Sequence, residues 1–419
     1  MKIHTRKHWL LLTVVCAAGS AWAKTPASTR IWVDWALPLG TKAPAVFSTG
    51  SIQAMSITDK RLFVVGSRLP LSEKERRGLS PPGGIISSFD AKTGHRLWTT
   101  PFPGFPIASP PATSGERLYT ATWRSLMVLR ETDGRVLKSA DSALESAPFH
   151  QITLDKDHIY VSGFLRKRLP DPVPVLSAFS LPKLRQAWQY RLASPPNLCY
   201  FAPLLQRHAV LVGQRDGPIV ELDARSGKVV ASRRMFGRTL AVLLNGKGLF
   251  WLGPTDVCCL DPATLKTRWR RKLASSHRVG VIPGWSWSYA HALSVRGKTL
   301  LVADMASLHL LALDATTGRL QWSYPIPKDV DPTLVFLLDH WVVYGRRPYA
   351  STAGPTKRTV EFRWLDRRYR REVGSIRLPV YTSDLNQRAL GIGDELYVGS
   401  IDRLVALSAC APQTTGKVR

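Results

Sequence analysis

The residues best suited to binding chemistry in this chain are aromatic and cationic. In Pro-Gly-Trp-Ser-Trp-Ser-Tyr-Ala-His (283–291), strict alternation puts Trp285, Trp287, Tyr289 and His291 on one side of a strand. Such a row can stack sugars or peptide side chains, and packing between repeats is its plainer use. Three cationic stretches accompany it: Arg68, Lys74, Arg76 and Arg77; Arg166, Lys167 and Arg168; and Arg346, Arg347, Lys357 and Arg358. Set beside aromatics, those cations suit an anionic glycan, a lipopolysaccharide or another acidic partner.

Groups that make or break bonds are scarcer. Adjacent Cys258 and Cys259 invite a functional reading, but they run directly into Asp261 on an apolar strand. Alternation there buries one thiol and turns the other to the opposite face, so packing is expected. Cys199 and Cys410 complete too small a set for a disulfide framework. His150, His291 and His309 are read as structural histidines. No Gly-x-Ser-x-Gly, HExxH, phosphate-loop or paired-His spacing occurs. No cluster of acids supplies the convergent oxygens that a hard cation needs. No catalytic residue, cofactor ligand or metal ligand is assigned.

The elements that must position these residues are announced by a repeated phrase. ISSFDAKTGHRLW (86–98) returns as LLALDATTGRLQW (310–322) and, more weakly, as CCLDPATLKTRW (258–269) and SAFSLPKLRQAW (177–188). From Asp90, Ser180, Asp261 and Asp314 the tryptophan follows eight residues on, at Trp98, Trp188, Trp269 and Trp322. Degenerate anchors at Arg130, Asp223, Asp366 and Ser408 bring the period to about 45 residues. Each period resolves into four short strands. Glycines four residues after an anchor (Gly94, Gly134, Gly227, Gly318) supply tight turns, and the tryptophans suit the wedge between blades. The anchor aspartates read as turn caps. The expected fold is all-β: an eight-bladed β-propeller of four-stranded blades. The last repeat lacks its outer strand. Arg-Ile-Trp at 30–32 matches Arg-Leu-Trp at 96–98, so the N-terminal strand is expected to complete the last blade and close the ring.

The phrase resembles the pyrroloquinoline-quinone (PQQ)-type repeat, Ala-x-Asp-x-x-Thr-Gly-x-x-x-Trp, across essentially the whole chain after its leader. That repeat is shared by quinoprotein alcohol dehydrogenases and by non-catalytic propellers such as the outer-membrane assembly scaffold lipoprotein. Length and blade count are similar to the scaffold. The dehydrogenase alternative implies PQQ held with Ca²⁺ by a Glu/Asn/Asp set, an aspartate base, and an adjacent-cysteine disulfide against the quinone. Cys258-Cys259 lacks the expected place on a loop facing the central channel, so no cofactor is expected.

Lys2, Arg6 and Lys7, an apolar run from Trp9 to Ala18, and Ala21-Trp22-Ala23 read as a signal peptide (1–23) cleaved after Ala23. Val15 before Cys16 does not fit a lipobox. Residues 24–410 form the propeller and 411–419 a disordered tail. The net charge of +28 falls to +25 once the three basic leader residues are removed. Strand parity places the three cationic insertions on one face, with the connections between blades. The expectation is an exported monomer of the periplasm or cell envelope, acting as a binding or scaffold protein through that face. Its partner would be an envelope protein, an anionic polymer or a lipid surface. Export and the lack of a recognition motif disfavour nucleic acid. No transmembrane segment is expected after cleavage.

Overall fold

A computed structural model describes residues 30–38, 52–58, 60–67, 83–103, 109–122, 125–141, 151–165, 173–181, 183–192, 203–214, 217–274, 293–304, 307–327, 335–346, 358–368, 370–380, 389–399 and 403–410. Among them every regular element is a strand. The strands form eight antiparallel four-stranded sheets; in seven of them sequence neighbours pair in order, and in the eighth the N-terminal strand pairs with the last strand. Blades one to seven span 52–102, 112–141, 151–191, 204–233, 241–272, 293–325 and 335–380. Blade eight takes 389–410, with Arg30–Pro38 registered against Arg403–Cys410. First strands of neighbouring blades approach one another, which makes them the inner wall of the ring.

The second and third strands of each blade are nearly continuous apolar runs because both faces pack on a neighbour. Gly248–Leu252 and Asp256–Leu260 of blade five are buried throughout. The core is therefore a circle of inter-blade clusters. Phe63, Ile86 and Trp98 of blade one meet Leu118, Met127 and Leu129 of blade two. Similar clusters follow between each later pair of blades. The circle joins where Tyr397, Leu404 and Ala406 of blade eight pack on Ile52, Met55, Leu62 and Val64 of blade one.

The repeated phrase is a turn at one end and a lock between blades at the other. Asp90 Oδ1 accepts from the Thr93 N–H (2.8 Å) and hydroxyl (2.7 Å). Asp223 does the same with Ser226, and Asp261 and Asp314 with Thr264 and Thr317. The expected capping role is what these bonds perform. The position four after the anchor is left-handed throughout the described turns, at Gly94, Gly134, Gly227 and Gly318, and also at Leu184, Leu265 and Arg370.

Each wedge tryptophan serves the following blade. The indole N–H of Trp98 donates to the Glu131 carbonyl of blade two (2.9 Å). Trp188 reaches Ala224 of blade four (2.9 Å), and Trp269 reaches Ala315 of blade six (3.1 Å). The rings cover Gly134, Gly227 and Gly318, where an added Cβ would fall 2.3, 2.6 and 2.6 Å from the indole. Two turns carry leucine instead, at Leu184 and Leu265. There the preceding blade has no outer tryptophan, only Lys138 or Ala231, and the leucines themselves are buried in the wedge. The wedge is thus filled from one blade or the other.

The backbone register revises one sequence match. Trp98 stands opposite Ser88, with a bulge before Arg96 opposite Phe89. In blade eight the bulge lies between Val33 and Trp35, and Trp35 is opposite Ala406 while Trp32 is opposite Ser408. Arg96-Leu97-Trp98 therefore corresponds to Val33-Asp34-Trp35, not to residues 30–32. Equal spacing inside a repeat concealed the three-residue offset.

Candidate functional site

Consecutive antiparallel strands place second-to-third connections on the same face as the connections between blades. On the opposite face the 3–4 turns are short and tied by the anchors. The cationic insertions leave the first face between Ser67 and Gly84, Leu165 and Val173, and Arg346 and Arg358. Of the residues nominated from sequence, the backbones of Arg346 and Arg358 are placed, at the end of a second strand and the start of a third. Arg68, Arg76, Arg77, Arg166, Lys167, Arg168, Trp285, Trp287, Arg347 and Lys357 lie outside the described residues, as do His150 and His291. So does the tail 411–419.

On that same face, blades four and five build a cationic cluster that sequence reading missed. Phe236, in the connection between them, is 47% exposed. The Arg270 guanidinium lies 3.8 Å from its ring centroid, and that of Arg233 5.9 Å away. Arg270 is held in a two-pronged pair by the buried Asp256 carboxylate, Nε to Oδ1 at 2.9 Å and a terminal nitrogen to Oδ2 at 3.0 Å. The Arg270 bond holds the Asp256 carboxyl below the usual carboxylate range. Arg233 donates to the Leu265 carbonyl and to Thr267 Oγ1 (2.7 Å). The result is an aromatic ring presented to solvent between two fixed guanidiniums, a surface suited to acidic and aromatic groups of a partner. Its sequence signal was the Arg-Arg-Met-Phe-Gly-Arg run at 233–238.

Cys258 and Cys259 are packing residues. Cys258 packs in the wedge toward blade four and Cys259 in the wedge toward blade six, and both are buried and free. Burial pushes the Cys258 thiol up to about 12 and that of Cys259 to about 11. The sequence reading buried one of the pair; both are inside because each face of a blade meets a neighbour. His309 is half-buried, with Nδ1 2.7 Å from the Ser307 carbonyl. Among the described residues no three His, Cys, Asp or Glu side chains gather as a metal site. Pointing into different wedges, the Cys258 and Cys259 thiols do not form the adjacent-cysteine disulfide that the dehydrogenase alternative implies.

Eight four-stranded blades built on this Asp-Thr-Gly-Trp phrase define a PQQ-like β-propeller. The chain belongs to the family described as outer membrane protein assembly factor BamB, whose model matches residues 82–239 and 236–354. Among solved structures, BamB from Moraxella catarrhalis is similar at a TM-score of 0.59 and 14% identity, over 92% of this chain and 99% of that one. The computationally designed Ika8 protein gives 0.58 and 12% identity, covering 86% and 97%. A europium-containing methanol dehydrogenase gives 0.58 and 8%, covering 90% and 93%. At these identities the likenesses show the fold alone. No curated protein matches the sequence. Among the described residues no helix is long and apolar enough to cross a membrane.

Proposed function

We propose that this protein is exported to the periplasm or cell envelope and works there as a non-catalytic binding propeller, holding an acidic envelope protein on its cationic face. The observation that carries this reading is the Phe236 cluster. It is an exposed aromatic fixed between two guanidiniums, on the face from which the cationic insertions leave. Family membership supports it, since the family is described as an outer membrane protein assembly factor. The phrase residues are otherwise committed: the aspartates cap turns, the glycines seat tryptophans and the tryptophans bind the next blade.

The test is affinity capture from native envelope extracts. The comparison is between wild type and a variant neutralised at Arg76, Arg77, Arg166, Arg168, Arg346 and Arg347. Loss of captured envelope protein with an unchanged melting temperature supports the reading. Unchanged capture overturns it. Saturable PQQ binding with Ca²⁺ and dye-linked alcohol or sugar oxidation would replace it with the dehydrogenase.

A further inference from the structure

On the opposite, turn-bearing face, blades two and four lack the ring-and-small-residue pair of the other blades, and blade four alone of the two puts a carboxylate in the third-strand position. Two residues before each anchor, the third strand faces the outer strand's wedge position. The pairs are Ser88 with Trp98, Ala178 with Trp188, Cys259 with Trp269 and Ala312 with Trp322. Blade seven reverses the pair as Trp364 with Gly374. In each, one large apolar ring meets one small residue. Blade four instead pairs Glu221 with Ala231.

A carboxylate therefore stands where those blades hold a small residue, and Ala231 stands where four of them hold an indole. Glu221 is 6% exposed and its Oε2 has no hydrogen-bond partner. It lines a cavity of about 240 Å³ at the blade-four and blade-five boundary. Gln206 lines the same cavity, and its buried Oε1 is also without a partner. Two buried acceptors without a hydrogen-bond partner at one open pocket are costly unless something supplies N–H or O–H groups. Burial and the nearby charge of Asp261 push the Glu221 carboxyl up, and Arg207, His208 and Asp223 also line the cavity. Val230 and Ala263 give the cavity aliphatic walls. A bare metal ion would leave those walls unused and would want more oxygen ligands than Glu221, Gln206 and Asp223 offer, since Asp223 is tied to Ser226.

We propose that this cavity binds a primary alkylammonium group. Its N–H groups donate to Glu221 and Gln206, and its alkyl chain lies along Val230 and Ala263. The same chemistry is carried by a small free amine and by a lysine side chain of another polypeptide. The site is on the face away from the Phe236 cluster and does not rest on the proposed partner face.

The probe is n-butylammonium chloride, titrated calorimetrically into the mature full chain at constant ionic strength. n-Butanol and CaCl₂ are the neutral and metal controls. Saturable butylammonium binding, weakened at least tenfold in Glu221→Gln, supports the site. So does an upfield or downfield displacement of the Glu221 carboxyl carbon resonance by butylammonium in the wild type, which needs no variant to fold. A lysine-containing peptide that also binds identifies a polypeptide source; binding of butylammonium alone identifies a small amine. Absence of saturable butylammonium binding overturns the proposal, as does equal binding by n-butanol, a preference for Ca²⁺, or binding that Glu221→Gln leaves unchanged.

Discussion

Trp98 of blade one lies over Gly134 of blade two, so close that a Cβ on the glycine would fall 2.3 Å from the indole ring. The glycine also holds φ at +71°. Two residues that look like parts of one repeat motif therefore act across a boundary between repeats. The turn needs a residue that tolerates the left-handed region, and the neighbouring blade needs one without a side chain.

Gly134→Ala meets both obstacles at once. Strain at positive φ and displacement of a buried indole should together cost about 2–4 kcal/mol. Gly115 provides the control: it has φ +58° and open space around its Cβ position. Gly115→Ala should lose only the backbone part, about 1 kcal/mol. Urea unfolding of the two variants measures the difference. Equal losses would show that the Trp98 contact carries no energy.

The two ways of filling a wedge should be exchangeable. Trp188 seats on Gly227, whereas Leu265 takes that turn position beside Ala231. Trp188→Ala should cost about 3–5 kcal/mol and Gly227→Leu a similar amount. Combined, the double variant recreates the blade-four and blade-five arrangement. It should recover at least about 1 kcal/mol relative to the sum, the coupling expected of residues in direct contact. Strict additivity in the double-mutant cycle would refute the exchange.

Acid and neutral stability should respond to opposite carboxylates. Thr93 holds the Asp90 carboxyl below its ordinary value, Ser226 that of Asp223, and Thr317 that of Asp314. A lowered folded value gives stability that is present above about pH 4 and lost as pH falls through the folded value. Glu221 has the reverse sign. Its carboxyl is raised by burial, so its contribution is present below about pH 4.3 and lost as pH rises through the folded value. Without bound amine, Glu221→Gln should leave stability unchanged near pH 4 and raise it by about 1–2 kcal/mol at pH 7. Unfolding curves across that range decide it; a variant less stable than wild type at pH 7 would contradict the buried, unpaired carboxylate.

Much of this ring was legible because its phrase recurs at a fixed distance from each anchor. Asp90, Thr93, Gly94 and Trp98 read directly as cap, turn and wedge. What the phrase hid was partnership across repeats. Leu184 and Leu265 drew no reading from the sequence, although each stands in for a missing tryptophan from the neighbouring blade. Trp364 escaped notice because blade seven moves its ring from the outer strand to the third. Asp256 and Arg270 pair within blade five, and Phe236 reaches Arg270 from the connection that precedes that blade, so the cluster is not a sequence-local motif. Glu221 did leave a trace: its alternation position holds Ser88, Ala178, Cys259 and Ala312 in other blades. Reading that column down the repeats would have exposed the carboxylate.

The closing role expected of the N-terminal strand turns on which tryptophan occupies the last wedge position. Gly94 of blade one has the left-handed turn that receives a tryptophan elsewhere, and the preceding blade is blade eight. Backbone register puts Trp35 opposite Ala406, as Trp98 is opposite Ser88, whereas Trp32 is opposite Ser408. If this strand completes the blade as the register directs, Trp35→Ala should cost about 3–5 kcal/mol, as expected for a tryptophan at the position that Trp98 holds in blade one. Trp32→Ala should cost less than about 1 kcal/mol, as for a substitution at the turn-end position that His95 holds in blade one. Thermal and urea unfolding of both variants in the mature chain test the assignment. A larger loss at Trp32 would restore the match of residues 30–32 to 96–98. Negligible losses at both would mean that the ring is held by Tyr397, Leu404 and Ala406 against blade one, without help from the N-terminal strand.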